Sequence, residues 1–124
     1  MKKLMIIMAF AGVLMAGCRT FPPVQNIEHQ AVAVHNQEQV EKAILAGAAH
    51  RGWTANKVRN GLIQATLNIR SHQVEVEIPY NADSYSILYK HSENLRYDSK
   101  KGTIHPRYNT WINNLNSSIN ERLY

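Results

Sequence analysis

The sequence predicts an α+β domain: a helix, a four-stranded antiparallel meander and a C-terminal helix, with both helices on one face of the sheet. Three observations carry this prediction. Apolar residues recur at helical spacing between Asn36 and Arg51, the period changes to two between Trp53 and Lys90, and helical spacing returns after Pro106.

A leader precedes these elements. Met1-Lys2-Lys3 is followed by an apolar run from Leu4 to Leu14 and then by Met15-Ala16-Gly17-Cys18. The run is too short to cross a hydrocarbon core about 30 Å thick as a stable helix, so residues 1–17 read as a secretory signal. Its ending resembles the bacterial lipobox, in which the cysteine thiol receives a diacylglycerol and becomes the new N-terminus. That resemblance implies lipidation at Cys18 and attachment to a membrane. An aspartate after the cysteine tends to retain such lipoproteins at the inner membrane. Arg19 therefore implies the outer membrane, with the domain facing the periplasm.

Removal of residues 1–17 leaves 107 of the 124 residues, enough for one domain. It also removes Lys2 and Lys3, which lowers the formal charge from +5 to +3, and takes away all 4 methionines. Cys18 is the chain's single cysteine, so no internal disulfide forms and packing alone must hold the domain. A charge of +3 is a weak attraction for nucleic acid, which is not expected as a partner. It suits an envelope surface rich in phosphates and carboxylates, and an envelope protein or cell-wall component is the expected partner. No cofactor is expected.

Residues 18–36 read as the lipidated cysteine and a flexible tether, because Pro22-Pro23 and scattered Gln, Asn and His residues show neither period. As a random coil its ends would lie roughly 25 Å apart, and fully extended it would reach about 60 Å. Within it, only Ala31-Val32-Ala33-Val34 has the character of an edge strand or a packing segment.

The globular domain is expected over 37–124. Asn36 is a helix cap with Gln39 three residues on, and Gly52 stops the helix. Val40, Ala43, Ile44, Gly47 and Ala48 form a small apolar face suited to packing on a sheet. A first strand follows over about Trp53 to Val58 and turns through Arg59-Asn60-Gly61. One register buries Val58 against Ile63, the next buries Trp53 and Ala55, and both remain open. With Ser71-His72 as a hairpin loop, Ile69 meets Val74, Leu67 meets Val76, Ala65 meets Ile78 and Ile63 meets Tyr80. With a loop at Asn81–Ser84, Tyr80 meets Tyr85, Ile78 meets Ile87 and Val76 meets Tyr89. One face stays apolar across all three strands, and the other places Glu75 beside Lys90. Pro79 belongs near a strand end. The last helix starts near Pro106 and repeats Tyr108, Trp111, Ile112, Leu115 and Ile119. Its five asparagines between Asn109 and Asn120 are poor helix formers, so docking must hold it.

The chemistry is sparse. Six histidines show no metal-ligand spacing, and the sequence has no nucleophile elbow or carboxylate pair placed across a cleft, so no catalytic residue and no enzyme activity are expected. The polar stretch from His91 to Ile104 reads as a surface loop. Around it Arg96, Tyr97, Lys100, Lys101, His105 and Arg107 are the binding candidates, offering arginine forks and aromatic faces to an anion or glycan. A solvated loop with ordinary charges is the plainer reading. The alternative function is a small-ligand or metal-binding periplasmic module using His91 and His105.

From Ala48 to Leu123 the chain includes Arg51-Gly52-Trp53, Ile63-Gln64-Ala65-Thr66, Tyr85-Ser86-Ile87-Leu88-Tyr89 and Ile104-His105-Pro106-Arg107-Tyr108-Asn109-Thr110-Trp111. In these strings it resembles a group of small uncharacterised bacterial lipoproteins. The resemblance implies lipidation at Cys18 and carries no activity onto particular residues. The expected function is a membrane-anchored envelope lipoprotein that binds without catalysing a reaction, through the polar sheet face and the loop.

Overall fold

A computed structural model of the chain describes residues 20–123; the signal expected over 1–17, Cys18 and Arg19 lie outside the described residues. The first helix, α1 (Gln37–His50), forms where the caps predict it: Asn36 Oδ1 accepts from the Gln39 amide at 2.9 Å. Val40, Ala43, Ile44, Gly47 and Ala48 are its buried residues, as their spacing requires. At its end the Gly52 amide donates to Ala49 O and the Trp53 amide to Ala48 O, both at 3.0 Å. These paired bonds put Gly52 at φ +84°, a left-handed conformation that costs glycine nothing, and seat Trp53 in the core.

The sheet has five antiparallel strands rather than four. In chain order they are β1 (Ile27–Ala31), β2 (Thr54–Arg59), β3 (Leu62–Ile69), β4 (His72–Pro79) and β5 (Ser84–Glu93), arranged β1-β5-β4-β3-β2. The meander from β2 to β5 matches the expectation. The added strand, β1, comes from the segment expected to be a tether and pairs with β5. Since β1 and β2 occupy opposite edges, the connection through α1 crosses the whole sheet.

Two registers differ from the sequence expectation in instructive ways. The β3–β4 loop is Arg70-Ser71, not Ser71-His72, so Ile69 faces His72, Leu67 faces Val74 and Ile63 faces Ile78. That slip of two positions leaves every side chain on its expected face. The choice is made from outside the hairpin: Asn94 donates Nδ2 to Ser71 O at 2.6 Å, and its carbonyl accepts from His72 Nδ1 at 2.9 Å. Across β4 and β5, Tyr80 faces Tyr85 and Val76 faces Tyr89 as expected, and a bulge opposite Glu75 and Val76 then shifts the ladder. On β2 the open alternative resolves toward Trp53 and Ala55; Trp53 is buried, whereas Val58 is 53% exposed. Pro79 is the last residue of β4, where its missing donor costs no ladder bond in mid-strand.

Ile63, Ala65, Leu67, Val74, Val76, Ile78, Tyr85 and Ile87 form the apolar face and share one core with α1 and the last helix, α2 (Pro106–Asn120). Tyr108, Ile112, Leu115 and Ile119 of α2 are fully buried, while Trp111 lies at the edge of the core. The asparagines of α2 have a structural use. Asn109 Oδ1 accepts from the Gln25 amide at 2.9 Å, and its Nδ2 donates to Pro23 O at 3.0 Å. Asn113 Oδ1 accepts from Gln25 Nε2 at 2.7 Å, and Asn116 bonds both Tyr85 OH and Gln30.

Residues 21–36 are therefore not a free tether. Val24 N donates to Gly102 O at 2.8 Å, Ile104 N to Pro22 O at 3.0 Å and Val32 N to Asp83 O at 3.0 Å. Val32 is buried, and His35 pairs with Asp83 at 2.8 Å. The segment docks through backbone and amide hydrogen bonds, which leave no apolar period in its sequence.

One polar contact ties α1 to the far end of β4. Tyr80 OH donates to Glu41 Oε1 at 2.6 Å, and Lys57 Nζ lies 3.1 Å from the same carboxylate. Burial and this bond push the Tyr80 phenol up to about 12. The Tyr80 bond, then Lys57, hold the Glu41 carboxyl below its ordinary value. The phenol is raised above its unfolded value, so it contributes stability below pH about 10 that is lost as pH rises toward 12. The melting temperature should fall across that window, and Tyr80→Phe should flatten the fall. Flattening will be partial, because burial also pushes up the Tyr89 and Tyr108 phenols. An unchanged alkaline limb in Tyr80→Phe would contradict the assignment.

Candidate functional site

The segment after β5 is built on two left-handed corners, Asn94 at φ +62° and Arg96 at φ +56°. Between them Leu95 is buried and acts as the pin that holds the loop down. Its carbonyl accepts from the His105 amide at 2.9 Å, closing the loop at its base. Beyond Arg96 the chain folds back on itself: the Asp98 amide donates to Thr103 O at 2.9 Å and Gly102 N to Asp98 O at 2.7 Å. Asp98 Oδ1 accepts from the Lys100 and Lys101 amides at 2.9 and 3.1 Å. Its charge is thus engaged by the backbone, and the two lysine side chains have no carboxylate partner among the described residues.

This loop and the N-terminal segment bound an open groove of about 690 Å³. Arg96, Tyr97, Asp98, Lys100 and Lys101 line it, with Thr20 and Phe21 also contributing. Tyr97 is 42% exposed and stacks on Tyr89 with ring centroids 4.4 Å apart. Tyr89 in turn meets the buried Tyr108 edge-on at 5.5 Å. An exposed ring supported by two others is a rigid platform, since an isolated surface tyrosine would sample several rotamers.

Of the six binding candidates, four share the groove. His105 does not: its Nδ1 accepts from the Arg107 amide at 3.1 Å as the cap of α2, and its ring lies against Phe21 at 5.8 Å. Arg107 lines a different cleft, beside Trp111. The stretch from His91 to Ile104 is also not loop throughout, because β5 extends to Glu93 and Ile104 is fully buried. Thr20 and Phe21 escaped sequence reasoning because their segment was read as a tether. The signal that points to them is Phe21-Pro22-Pro23-Val24, an apolar and stiff stretch that a flexible linker has no need for.

His91 and His105 have separate partners, His91 Nε2 lying 3.4 Å from Glu93 Oε2. Among the described residues no group of three or more His, Cys, Asp or Glu is placed to hold a metal ion. On the polar sheet face Lys90 Nζ is 3.7 Å from Glu77, 4.0 Å from Glu75 and 3.3 Å from Gln64 Oε1. Gln64 also donates to Glu75. The expected Glu75–Lys90 pair forms within a network in which two carboxylates share the Lys90 ammonium, leaving no free cation there among the described residues. The groove, with three cations to the single Asp98 carboxylate, is the better candidate. No protein-family model, curated protein or solved structure matches the chain.

Proposed function

We propose that the chain is a lipid-anchored bacterial envelope lipoprotein whose domain binds an acidic envelope partner, without catalysing a reaction, in the basic groove beside its anchor. The observation that supports this is the place of Thr20 and Phe21 in the lining of the groove that holds Arg96, Tyr97, Lys100 and Lys101. Thr20 is two positions after Cys18, and two steps of extended chain span at most about 7 Å. With Cys18 acylated, the domain does not stand tens of ångströms clear of the membrane. Its basic groove opens at the level of the headgroups, where each Lys or Arg gains about 1 kcal/mol from an anionic surface. Three cations and the Tyr97 platform suit a partner that offers carboxylates or phosphates next to a sugar or aromatic face.

Two results test this. Cys18→Ala should accumulate as a larger, unprocessed precursor that takes up no labelled palmitate; normal maturation of that variant would refute the anchor. A photoreactive residue at Tyr97 should capture a discrete partner in cells, and a Lys100→Glu, Lys101→Glu background should abolish the capture. No capture from Tyr97 or Lys100 in a correctly anchored protein would refute the groove as the binding surface.

A further inference from the structure

The hairpin tip between β3 and β4 meets the start of α2, and the two enclose a second cleft of about 320 Å³. Ile69, Arg70, His72, Arg107, Thr110 and Trp111 line it, and it shares no lining residue with the basic groove. Arg70 and Arg107 have no carboxylate partner among the described residues. Arg70 also sits at φ +56°, a conformation that costs an ordinary L residue roughly 1 kcal/mol and that glycine or asparagine adopts more readily in a two-residue hairpin loop. A guanidinium stands where local stability alone favours a smaller residue.

The other side chains complete a polar and an apolar wall. His72 Nδ1 donates to Asn94 O at 2.9 Å, which fixes the ring and its tautomer and leaves Nε2 for another partner. Its ring lies 5.9 Å from that of Trp111. Thr110 Oγ1 reaches Pro106 O only at 3.5 Å, a weak bond that a better acceptor would replace. Ile69, 38% exposed, and the edge of Trp111 supply the apolar surface.

We propose that this cleft binds a phosphate group carried on a small organic ligand. Two guanidinium groups and a hydroxyl present more donors than the two oxygens of a carboxylate can accept, and they match the three terminal oxygens of a phosphate monoester; His72 Nε2, an acceptor in this tautomer, receives the O–H of a singly protonated phosphate. The organic part then lies over Trp111 and Ile69. This site is independent of the anchor and of the partner groove, so it stands whether or not Cys18 is acylated.

The chain carries its own probe. It has 2 tryptophans; Trp53 is 4% exposed in the core, so ligand-dependent changes in emission report Trp111. The mature full-length protein in non-ionic detergent should be titrated at constant ionic strength with inorganic phosphate, glycerol 3-phosphate and phenyl phosphate, with sodium chloride as the reference. Saturable changes are expected, with half-saturation near or below about 1 mM for phenyl phosphate and roughly tenfold weaker for inorganic phosphate, which cannot use the apolar wall. Preference for glycerol 3-phosphate over inorganic phosphate would assign the source to phospholipid headgroups, and preference for phenyl phosphate alone to a soluble ligand. Arg70→Gln with Arg107→Gln should weaken binding tenfold or more at unchanged melting temperature, since both side chains are exposed. The His72 ring resonances give a second readout and should shift with the same saturation curve. Emission that follows chloride and phosphate alike, or binding that survives loss of both arginines, would overturn the proposal.

Discussion

Replacing Gly47 with alanine should lower the stability of the domain by roughly 2–3 kcal/mol, although alanine is the better helix former by about 1 kcal/mol. A methyl group at this position would meet Ile119 Cα, N and Cγ1, each at 2.9 Å. Two of those atoms are backbone, so no rotamer change in Ile119 makes room. The helices must separate instead, and separation strains a second contact: Ser118 Oγ donates to Gly47 O at 2.9 Å in a buried site. Unfolding in urea or by heat is the measurement. At about 4–8 °C per kcal/mol for a domain of this size, the melting temperature should fall by roughly 10 °C or more. Ala46→Gly, one residue away and exposed, is the matched control; it should cost only the propensity term of about 1 kcal/mol. A Gly47→Ala variant as stable as the parent would mean that α1 and α2 are not in backbone contact.

The small face containing Gly47 was legible in the sequence, but its partner was not. Spacing shows that a helix face is apolar and narrow, yet a sheet and a second helix make the same demand on it. The buried residues of α1, the start of α2 at Pro106 and the apolar face of the meander were legible for the same reason: each depends on residues within one turn or one hairpin. The loop at Arg70-Ser71 was not, because Asn94, more than twenty positions away, selects it. The face pattern survived that error because the slip was even. In the site, Arg96, Tyr97, Lys100 and Lys101 were legible as a contiguous run, whereas His105 and Arg107 face elsewhere once the cap of α2 turns the chain. The asparagines carried more information than their helix propensity suggests. Asn109, Asn113 and Asn116 fall at helical spacing, and a stripe of amides on one face of a buried helix calls for a polar partner.

That partner is the N-terminal segment, and removing it should be the more damaging change. A chain that begins at Asn36 should lose cooperative unfolding or aggregate, while the same chain beginning at Thr20 should unfold in one transition. Deletion of residues 20–35 takes Val32 out of the core together with the partly buried Val24, Ile27 and Val34. Burial of such side chains contributes about 1.5–3 kcal/mol each when complete, so a loss on the order of 5 kcal/mol consumes most of a typical domain's stability. The deletion also strips the partners from Asn109 and Asn113, takes Gln30 from Asn116 and exposes the edge of β5 along Tyr85 to Ile87. An uncovered apolar edge strand is a template for pairing between copies, which makes aggregation the expected route of failure. Circular dichroism melts and light scattering on the two chains decide the matter. If the shorter chain melts cooperatively within a few degrees of the longer one, the segment is a tether after all, and the groove loses the Thr20 and Phe21 contribution on which its proposed place at a membrane rests.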